Sequence, residues 1–573
     1  MQNKKLLLTS ALTVAIGGSL LAQMMGQSPT KFSLNGLGRS YITNSNLSGN
    51  IMSGDTKTHN AGIGGYNLFD LQNNLAIDSA FQATATYRVR SEFGAFYGSA
   101  NSFKFRQFKL MGKIKDFRYE IGDVRIELTP FTVFNFGDMY HKYESEIFQM
   151  RRAITEYENM NVGNGWLLQG AHLKYGHDFE NWGIGAYGFV TRTTSTNEMS
   201  ISDRLLSGAR VGASFGDNIK IGGTYVGLTD VDIQSATYSY KNYVGTGDVE
   251  YLMNSDASAL KIRFEGGASS FNYKNVAAVI DSSKSYQDYF LDLTASLALK
   301  GPGIKFTLGV TDVGQYYNSP TAQTRRVVDN MNPALFGLVN NASVLRAPIL
   351  FDRMNSEQLY NSKIAYVLTP YLNQFNNAQP YGKATPNRQG ASITVASDTS
   401  MQNVDFEVGF DYLQEIVGEG TADLRNFMVV KGGVKLEIGK MIGLGRKLDF
   451  SVGGRMEKTA RAGAGSIALS STVADAGVSF EVIKKVDLLF GYKMLVANGN
   501  EYASQRDAFN SIATINGLSI NSNEGIASAG VQVRFSPMQS FSVHYNMVTY
   551  VNTLVSAGSY NISQLLLSYT GKF

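Results

Sequence analysis

The side chains able to do acid–base or metal chemistry in this chain are few and scattered. There are five histidines: His59, His141, His172, His177 and His544. His544 alternates with Ser542 and Asn546, which would put a hydroxyl and an imidazole on one face of a strand. An imidazole can activate such a hydroxyl as a nucleophile, but the pair sits in no recognised motif, and a histidine on a wet polar face accounts for it. His172 and His177 are five residues apart, so on a strand they face opposite sides and do not share a metal. Cysteine is absent, which excludes disulfides, thiolate metal sites, a cysteine nucleophile and an N-terminal lipid anchor. No phosphate-loop, dinucleotide-binding or zinc-hydrolase motif occurs. The reading is of no enzyme, no metal site and no cofactor.

The charged residues offer an electric field instead, and they recur at every second position. Examples are Arg88, Arg90 and Glu92; Lys104 and Arg106; and Lys261, Arg263 and Glu265. Arg118, Asp288, Asp292, Asp405, Glu407, Asp411 and Arg455 have similar settings. These residues and His544 are the candidate lining of a polar interior. In FQATATYRVRSEF, from Phe81 to Phe93, Phe81, Ala83, Ala85, Tyr87 and Val89 oppose Gln82, Thr84, Thr86, Arg88, Arg90 and Glu92. That is the period of a β-strand with one apolar and one polar face. LKIRFE from Leu260, VDFEVGFDY from Val404, KLDFSVGGRME from Lys447 and SFSVHYNM from Ser540 repeat it. Roughly 20 such segments occur, each near the ~9–11 residues of a tilted transmembrane strand.

Composition agrees with many strands and tight turns. The chain has 573 residues, with 17% charged, 12% aromatic, 59 Gly and 10 Pro. Disorder would need fewer aromatics and a higher net charge. A formal charge of +4 provides no polybasic surface for nucleic acid. The start, MQNKKLLLTSALTVAIGGSLLAQ, places two lysines before an apolar run and then small and polar residues. That layout predicts a signal peptide over residues 1–23, and the apolar run is short for a membrane anchor.

The joins predict an architecture with two unlike ends. IKDF at 114–117, FGDN at 215–218 and KGPG at 300–303 are tight. Leu47–Gly65 and Ala497–Gly525 read as long loops. Two inserts break the alternation. Residues 131–161 hold Tyr140, Tyr143, Ile147, Met150, Ile154 and Tyr157 at spacings of three and four, which predicts a helix of four or five turns. Residues 319–390 hold six of the ten prolines, and proline is excluded from central strands. This segment is expected to be either an ordered surface loop or a constriction folded into a lumen.

The C-terminus, ISQLLLSYTGKF, ends on Phe573, with Gly571, Tyr569, Leu567 and Leu565 at every second position before it. It resembles the C-terminal signature of bacterial outer-membrane β-barrel proteins, and Gly571 departs from the usual apolar residue. The resemblance covers nearly the whole chain after the signal peptide and is architectural. The leader ending in LAQ and the Asn, Tyr and Gly content resemble proteins of the Bacteroidota. The resemblance implies recognition of Tyr569 and Phe573 by the barrel assembly machinery, and a Gram-negative outer membrane as the location. A TonB-dependent transporter carries a plug domain before its barrel, and here strand-like sequence already begins at Lys31.

Physics selects the same fold class. In hydrocarbon every backbone polar group must be paired within the protein, so the all-β solution is a closed barrel. A soluble alternative would divide its apolar faces among domains joined by linkers, and none is visible. The expectation is an all-β fold: a single large antiparallel transmembrane β-barrel over residues 31–573, of roughly 18–22 strands. Its partners would be outer-membrane lipid and small solutes, with self-association or surface partner proteins left open. Two functions remain. One is a porin-like channel for passive passage of small hydrophilic solutes, with an acidic insert (Glu144, Glu146, Glu156, Glu158) facing basic early strands to set selectivity. The other is a non-conducting barrel acting as an adhesin or as a scaffold in a secretion or motility complex.

Overall fold

The computed structural model describes residues 30–51, 62–77, 80–94, 101–134, 142–159, 164–194, 204–231, 238–275, 282–322, 377–380, 382–398, 401–463, 465–506, 512–552 and 558–573. The predicted signal peptide and residues 323–376 of the Pro-rich insert lie outside them, as do His59 and His141. Among the described residues, 22 antiparallel strands form one sheet, and the last pairs with the first. In order these are β1 (Lys31–Ile51), β2 (Gly62–Ala76), β3 (Gln82–Gly94), β4 (Asn101–Ile114), β5 (Phe117–Ile126), β6 (Trp166–Asp178), β7 (Trp182–Thr194) and β8 (Arg204–Phe215). Then come β9 (Ile219–Asp230), β10 (Tyr238–Asn254), β11 (Ser258–Asn275), β12 (Ser282–Leu299), β13 (Ile304–Val313), β14 (Arg388–Ser397) and β15 (Val404–Gln414). The ring closes through β16 (Asn426–Leu436), β17 (Leu448–Arg461), β18 (Ile467–Ile483), β19 (Val486–Arg506), β20 (Ile512–Ser536), β21 (Gln539–Asn552) and β22 (Gly558–Lys572).

The period-two pattern decides which face goes where. On β3, Thr84, Thr86, Arg88 and Arg90 are buried within the ring. Phe264, Leu291, Leu293, Val408, Phe410, Tyr545 and Met547 on other strands are large, apolar and exposed on the outside. Soluble proteins do not expose contiguous apolar surface on this scale, so the solvent of the outer face is lipid. Apart from the upper part of the β4–β5 junction, the ring pairs its backbone groups without help from that solvent.

The seam between β1 and β22 is finished by the last residue. Phe573 exchanges backbone hydrogen bonds with Gly36, at 2.9 and 3.1 Å, and its ring stacks on Phe69 at 5.6 Å. A Cβ at Gly36 would collide with that ring, so glycine makes the closure possible. Tyr569 also faces outward and is exposed.

The three short joins lie at one end of the barrel, between β4 and β5, β8 and β9, and β12 and β13. Lys115, with φ 54, takes the left-handed position in the first. The long joins need a correction. Ala497–Gly525 is largely not a loop, because β19 and β20 continue as a paired hairpin from Ala497↔Ser522 out to Arg506↔Ile512. The hairpin is rich in Asn, Ser and Gly on both faces. Alternation fades where both faces meet water, although backbone pairing persists. The helical insert has the expected length of about four turns but starts later than the spacing from Tyr140 suggests. Its helix, α1 (Glu146–Asn159), has 14 residues, and Tyr143 precedes it. A one-turn helix, α2 (Ile438–Met441), lies between β16 and β17.

Candidate functional site

Both inserts turn into the barrel. The segment after β5 brings Phe131 onto the inward ring of Phe290 of β12, stacked at 3.9 Å. The segment after β13 brings Tyr317, whose hydroxyl donates to the Phe131 carbonyl at 2.5 Å. Ser319 and Thr321 donate to the Thr132 carbonyl at 3.0 and 2.6 Å. So the described ends of the Pro-rich insert lie inside the lumen and are tied to the helical insert.

The helical insert then crosses a groove made of glycine. Gly433 pairs with Gly453 on β16 and β17, and Gly477 pairs with Gly491 on β18 and β19. A Cβ at Gly433 or Gly453 would strike Tyr143, and one at Gly477 or Gly491 would strike Ser145 or Ile147. The bare rungs let residues 143–148 press against the wall. Ile147 and Phe148 are buried with Val473, Leu489 and Leu495.

Charge fixes this entry. Arg152 donates to both Glu144 carboxylate oxygens, at 2.7 and 2.9 Å. Lys493 pairs with the same carboxylate and stands 3.6 Å from Asp475, which accepts the Ser145 N–H at 2.7 Å. All four side chains are buried, so two cations and two carboxylates compensate each other. Removing one would leave an unpaired buried charge, at a cost of about 3–5 kcal/mol. At the helix start, burial alone would raise the Glu146 carboxyl. Lys447, hydrogen-bonded at 2.6 and 2.5 Å, with Ser479 and Lys435, holds it below its ordinary 4.5.

The far end of α1 is latched to the early strands. Glu158 accepts from Arg39 at 2.6 Å and Arg90 at 2.9 Å. Arg88 donates to the Glu158 carbonyl at 3.0 Å and grips Asp70 at 2.7 and 2.8 Å. Arg106 reaches the Tyr157 carbonyl and Asp70. Guanidiniums on the last carbonyls complement the negative end of the helix dipole. The Tyr157 hydroxyl donates to Asp70 at 2.6 Å, and burial with that contact pushes its pKa up to about 12. Acid and arginines are therefore in contact, with no water-filled gap between Glu158 and Arg90.

The returning end of the Pro-rich insert is held likewise. The Asn377 and Ala378 N–H groups donate to Glu457 at 2.5 and 2.7 Å. Lys383 bonds Asp292 at 2.9 Å. This segment thus bridges β12 and β17.

The turn-side half of the wall from β4 to β13 is different. Lys113, Arg118 and Lys174 stand side by side in register. Arg118 and Lys174, like Lys220, Lys261 and Lys305 further round, are exposed. Lys220 and Lys261 share Glu250, at 3.8 and 2.7 Å. Among the described residues Arg118, Lys174 and Lys305 make no ion pair.

The sequence-derived lining candidates all fall on the inward face, in five settings. Arg88, Arg90, Glu92 and Arg106 belong to the latch. Asp292 holds the second insert, and Asp405 and Glu407 meet Lys142 at 3.2 and 3.7 Å. Asp288 accepts the Tyr316 N–H at 2.7 Å. Arg263 pairs with Glu265, Lys431 with Asp411, and Arg455 with Glu457. Lys104, Arg118 and Lys261 face water. His544 is buried beside Gly530, and His172 is buried 3.9 Å from Glu120. Among the described residues no group of three or more metal-type side chains forms. The sequence reading named Glu144 as part of the acidic insert but not its partner Lys493, and it missed Asp70, Asp475 and the glycine rungs. The paired glycines have no side chain to alternate and read as turn formers.

No protein-family model matches the chain, and no curated protein matches it. Among solved structures it is similar to Pseudomonas aeruginosa OccK5 (OpdH), at 10% identity and TM-score 0.34, covering 95% of this chain and 98% of that one. It is also similar to the P. aeruginosa outer membrane protein OpdK, at 8% and 0.34, with 95% and 99% covered. A third is Acinetobacter baumannii OccAB4, at 10% and 0.32, with 95% and 98% covered.

Proposed function

We propose that this chain is an outer-membrane channel of a Gram-negative bacterium for passive passage of small hydrophilic solutes, with a preference for anions. The observation that carries the reading is the division of the lumen. The segment bearing α1 occupies the wall from β16 through the seam to β3, and the Pro-rich insert bridges β12 and β17, while the turn-side half from β4 to β13 keeps exposed, partly unpaired cations. Charged groups lining a wet path select permeants by sign. The test is a recording of the purified protein in planar bilayers. Discrete conductance steps with a reversal potential shifted toward chloride support the reading, and a folded protein without steps overturns it. The second reading, a sealed scaffold or adhesin, draws on the ties between the two inserts at Phe131, Thr132, Tyr317 and Thr321. Absence of conductance together with a fixed co-purifying partner would select it.

A further inference from the structure

The ladder between β4 and β5 is broken. Lys109–Ile114 of β4 pair with Phe117–Gly122 of β5, and the register stops there. Above that point Asn101–Phe108 pair with β3 and Asp123–Ile126 pair with β6, but among the described residues neither run pairs with the other. The break is built rather than frayed. Gly122, at φ 108, ends the ladder where a Cβ would collide with the Phe108 carbonyl. The Asp123 carboxylate then accepts the Phe108 N–H at 2.6 Å, replacing the backbone acceptor that β5 no longer offers. A bulge places Arg106 out of register opposite Thr86 and Tyr87, and its side chain turns into the lumen.

Depth makes the break consequential. Six paired residues at ~3.3 Å each, tilted by ~40°, rise ~15 Å of a ~25 Å apolar band. With the short turns on the periplasmic side, as in such barrels, the gap opens at the level of the outer leaflet. A sheet edge facing hydrocarbon has polar backbone groups with nothing to bond, so it does not persist empty there. The outer flank of the gap is aromatic: Phe103 and Phe105 are 60% and 59% exposed, and Tyr87 packs on Phe105 at 4.5 Å. Its inner flank is cationic. Lys104 shares the lumen side with Arg88 by register, is exposed, and has no partner among the described residues. Deeper in, Val124, Ile126 and Leu168 form a buried apolar wall.

We infer that this break is a lateral portal between the lumen and the outer leaflet, and that it takes a single-chain anionic amphiphile of the fatty-acid class. The tail lies along Phe103 and Phe105, and the carboxylate meets Lys104. A wedge closed at its foot by the six-residue ladder admits one chain more readily than a multiply acylated lipid. The portal rests on the barrel being in a membrane and not on axial conduction.

The probe is hexadecanoic acid carrying a photoreactive diazirine, added to the full-length protein in phosphatidylcholine vesicles and mapped by mass spectrometry. Adducts should concentrate on residues 101–108 and 123–126, and free hexadecanoic acid should displace them better than hexadecanol does. Phe103→Ala with Phe105→Ala should lower labelling about tenfold by removing apolar contact, with axial conductance unchanged. Lys104→Gln, which leaves the aromatic flank intact, should erase the preference for acid over alcohol, and it tests the portal should the alanine pair fail to fold. Adducts spread evenly over other lipid-facing rings such as Phe264 and Phe410 would overturn the portal. So would equal displacement by acid and alcohol in the unaltered protein. Loss of axial conductance alone would overturn the channel reading and leave the portal standing.

Discussion

From β16 through the β22–β1 seam to β3, the lumen wall is covered by the helical insert, whereas the turn-side half from β4 to β13 meets water. Both walls carry arginine and lysine at period two. On the covered wall Arg88, Arg90 and Lys493 are buried and spent on fixed carboxylates. On the open wall Arg118 and Lys174 keep their charge available to solutes. Bare rungs alone do not separate them, because the open wall has its own at Gly176↔Gly185, Gly185↔Gly212 and Gly212↔Gly222. What separates them is that Tyr143, Ser145 and Ile147 of the helical insert lie on Gly433, Gly453, Gly477 and Gly491. Those rungs let an insert approach, and approach turns exposed charge into a binding surface for the protein's own chain. Face is thus set by alternation, and function by where an insert docks.

The comparison breaks most completely if the groove is filled. Gly477→Leu with Gly491→Leu places bulk where Ser145 and Ile147 now lie. Overpacking costs roughly 1–3 kcal/mol per site, and the expected result is an unseated α1 in an intact barrel. Single-channel conductance should rise severalfold, with heat-modifiable migration on gels retained. Unchanged conductance would mean that α1 does not narrow the path. Lys493→Met follows in size. It leaves Glu144 and Asp475 short of a cation and should loosen the insert by about 3–5 kcal/mol, read as faster proteolysis within residues 142–165. Adding Asp475→Asn to Lys493→Met should restore most of the protection, because Glu144 keeps Arg152 and the orphaned charge is then gone.

Selectivity sharpens the contrast. Arg118→Glu with Lys174→Glu should move the reversal potential toward cations. Stability should stay within about 0.5 kcal/mol, as for exposed sites in general. Arg88→Ala with Arg90→Ala should do the converse, changing selectivity little while freeing the end of α1 and adding gating noise. If the second pair shifts selectivity more than the first, the assignment of working and latching charges is reversed.

The division between legible and illegible follows the same line. Alternation in FQATATYRVRSEF assigned Ala83, Tyr87 and Val89 to lipid and Arg88 and Arg90 to the inside, because a strand's period survives any tertiary context. Spacing of three and four revealed α1 through Ile147, Met150 and Ile154. It could not mark where the helix begins, since Tyr143 continues the pattern while packing on glycines outside the helix. The partners Asp70 and Tyr157 lie 87 residues apart and meet through a path that no local pattern encodes. The β4 bulge was partly visible: in FKFRQF, Phe105 and Phe108 are three apart rather than two. Both point outward, so one residue between them had to leave the register, and that residue is Arg106.

The smallest expected effect is a pH response confined to the covered wall. Glu146 has a folded-state pKa below its ordinary 4.5, because Lys447 outweighs the cost of burial. A carboxyl depressed on folding stabilises the folded form above its unfolded pKa, and that stabilisation is lost as pH falls through the folded value. So α1 should stay docked from neutrality down to about pH 5 and loosen below the ordinary carboxylate range. The carboxylate is 30% exposed, and solvent screening keeps the effect modest. Hydrogen exchange across residues 146–159 should therefore accelerate only in acid. In Glu146→Gln the exchange should already be faster at neutral pH, with a flatter acid limb. The open wall gives the control, since turn-side amides of β8 and β9 have no such carboxylate and should show no matching step. A step of equal size there would place the acid response in the whole barrel rather than in the docking of α1.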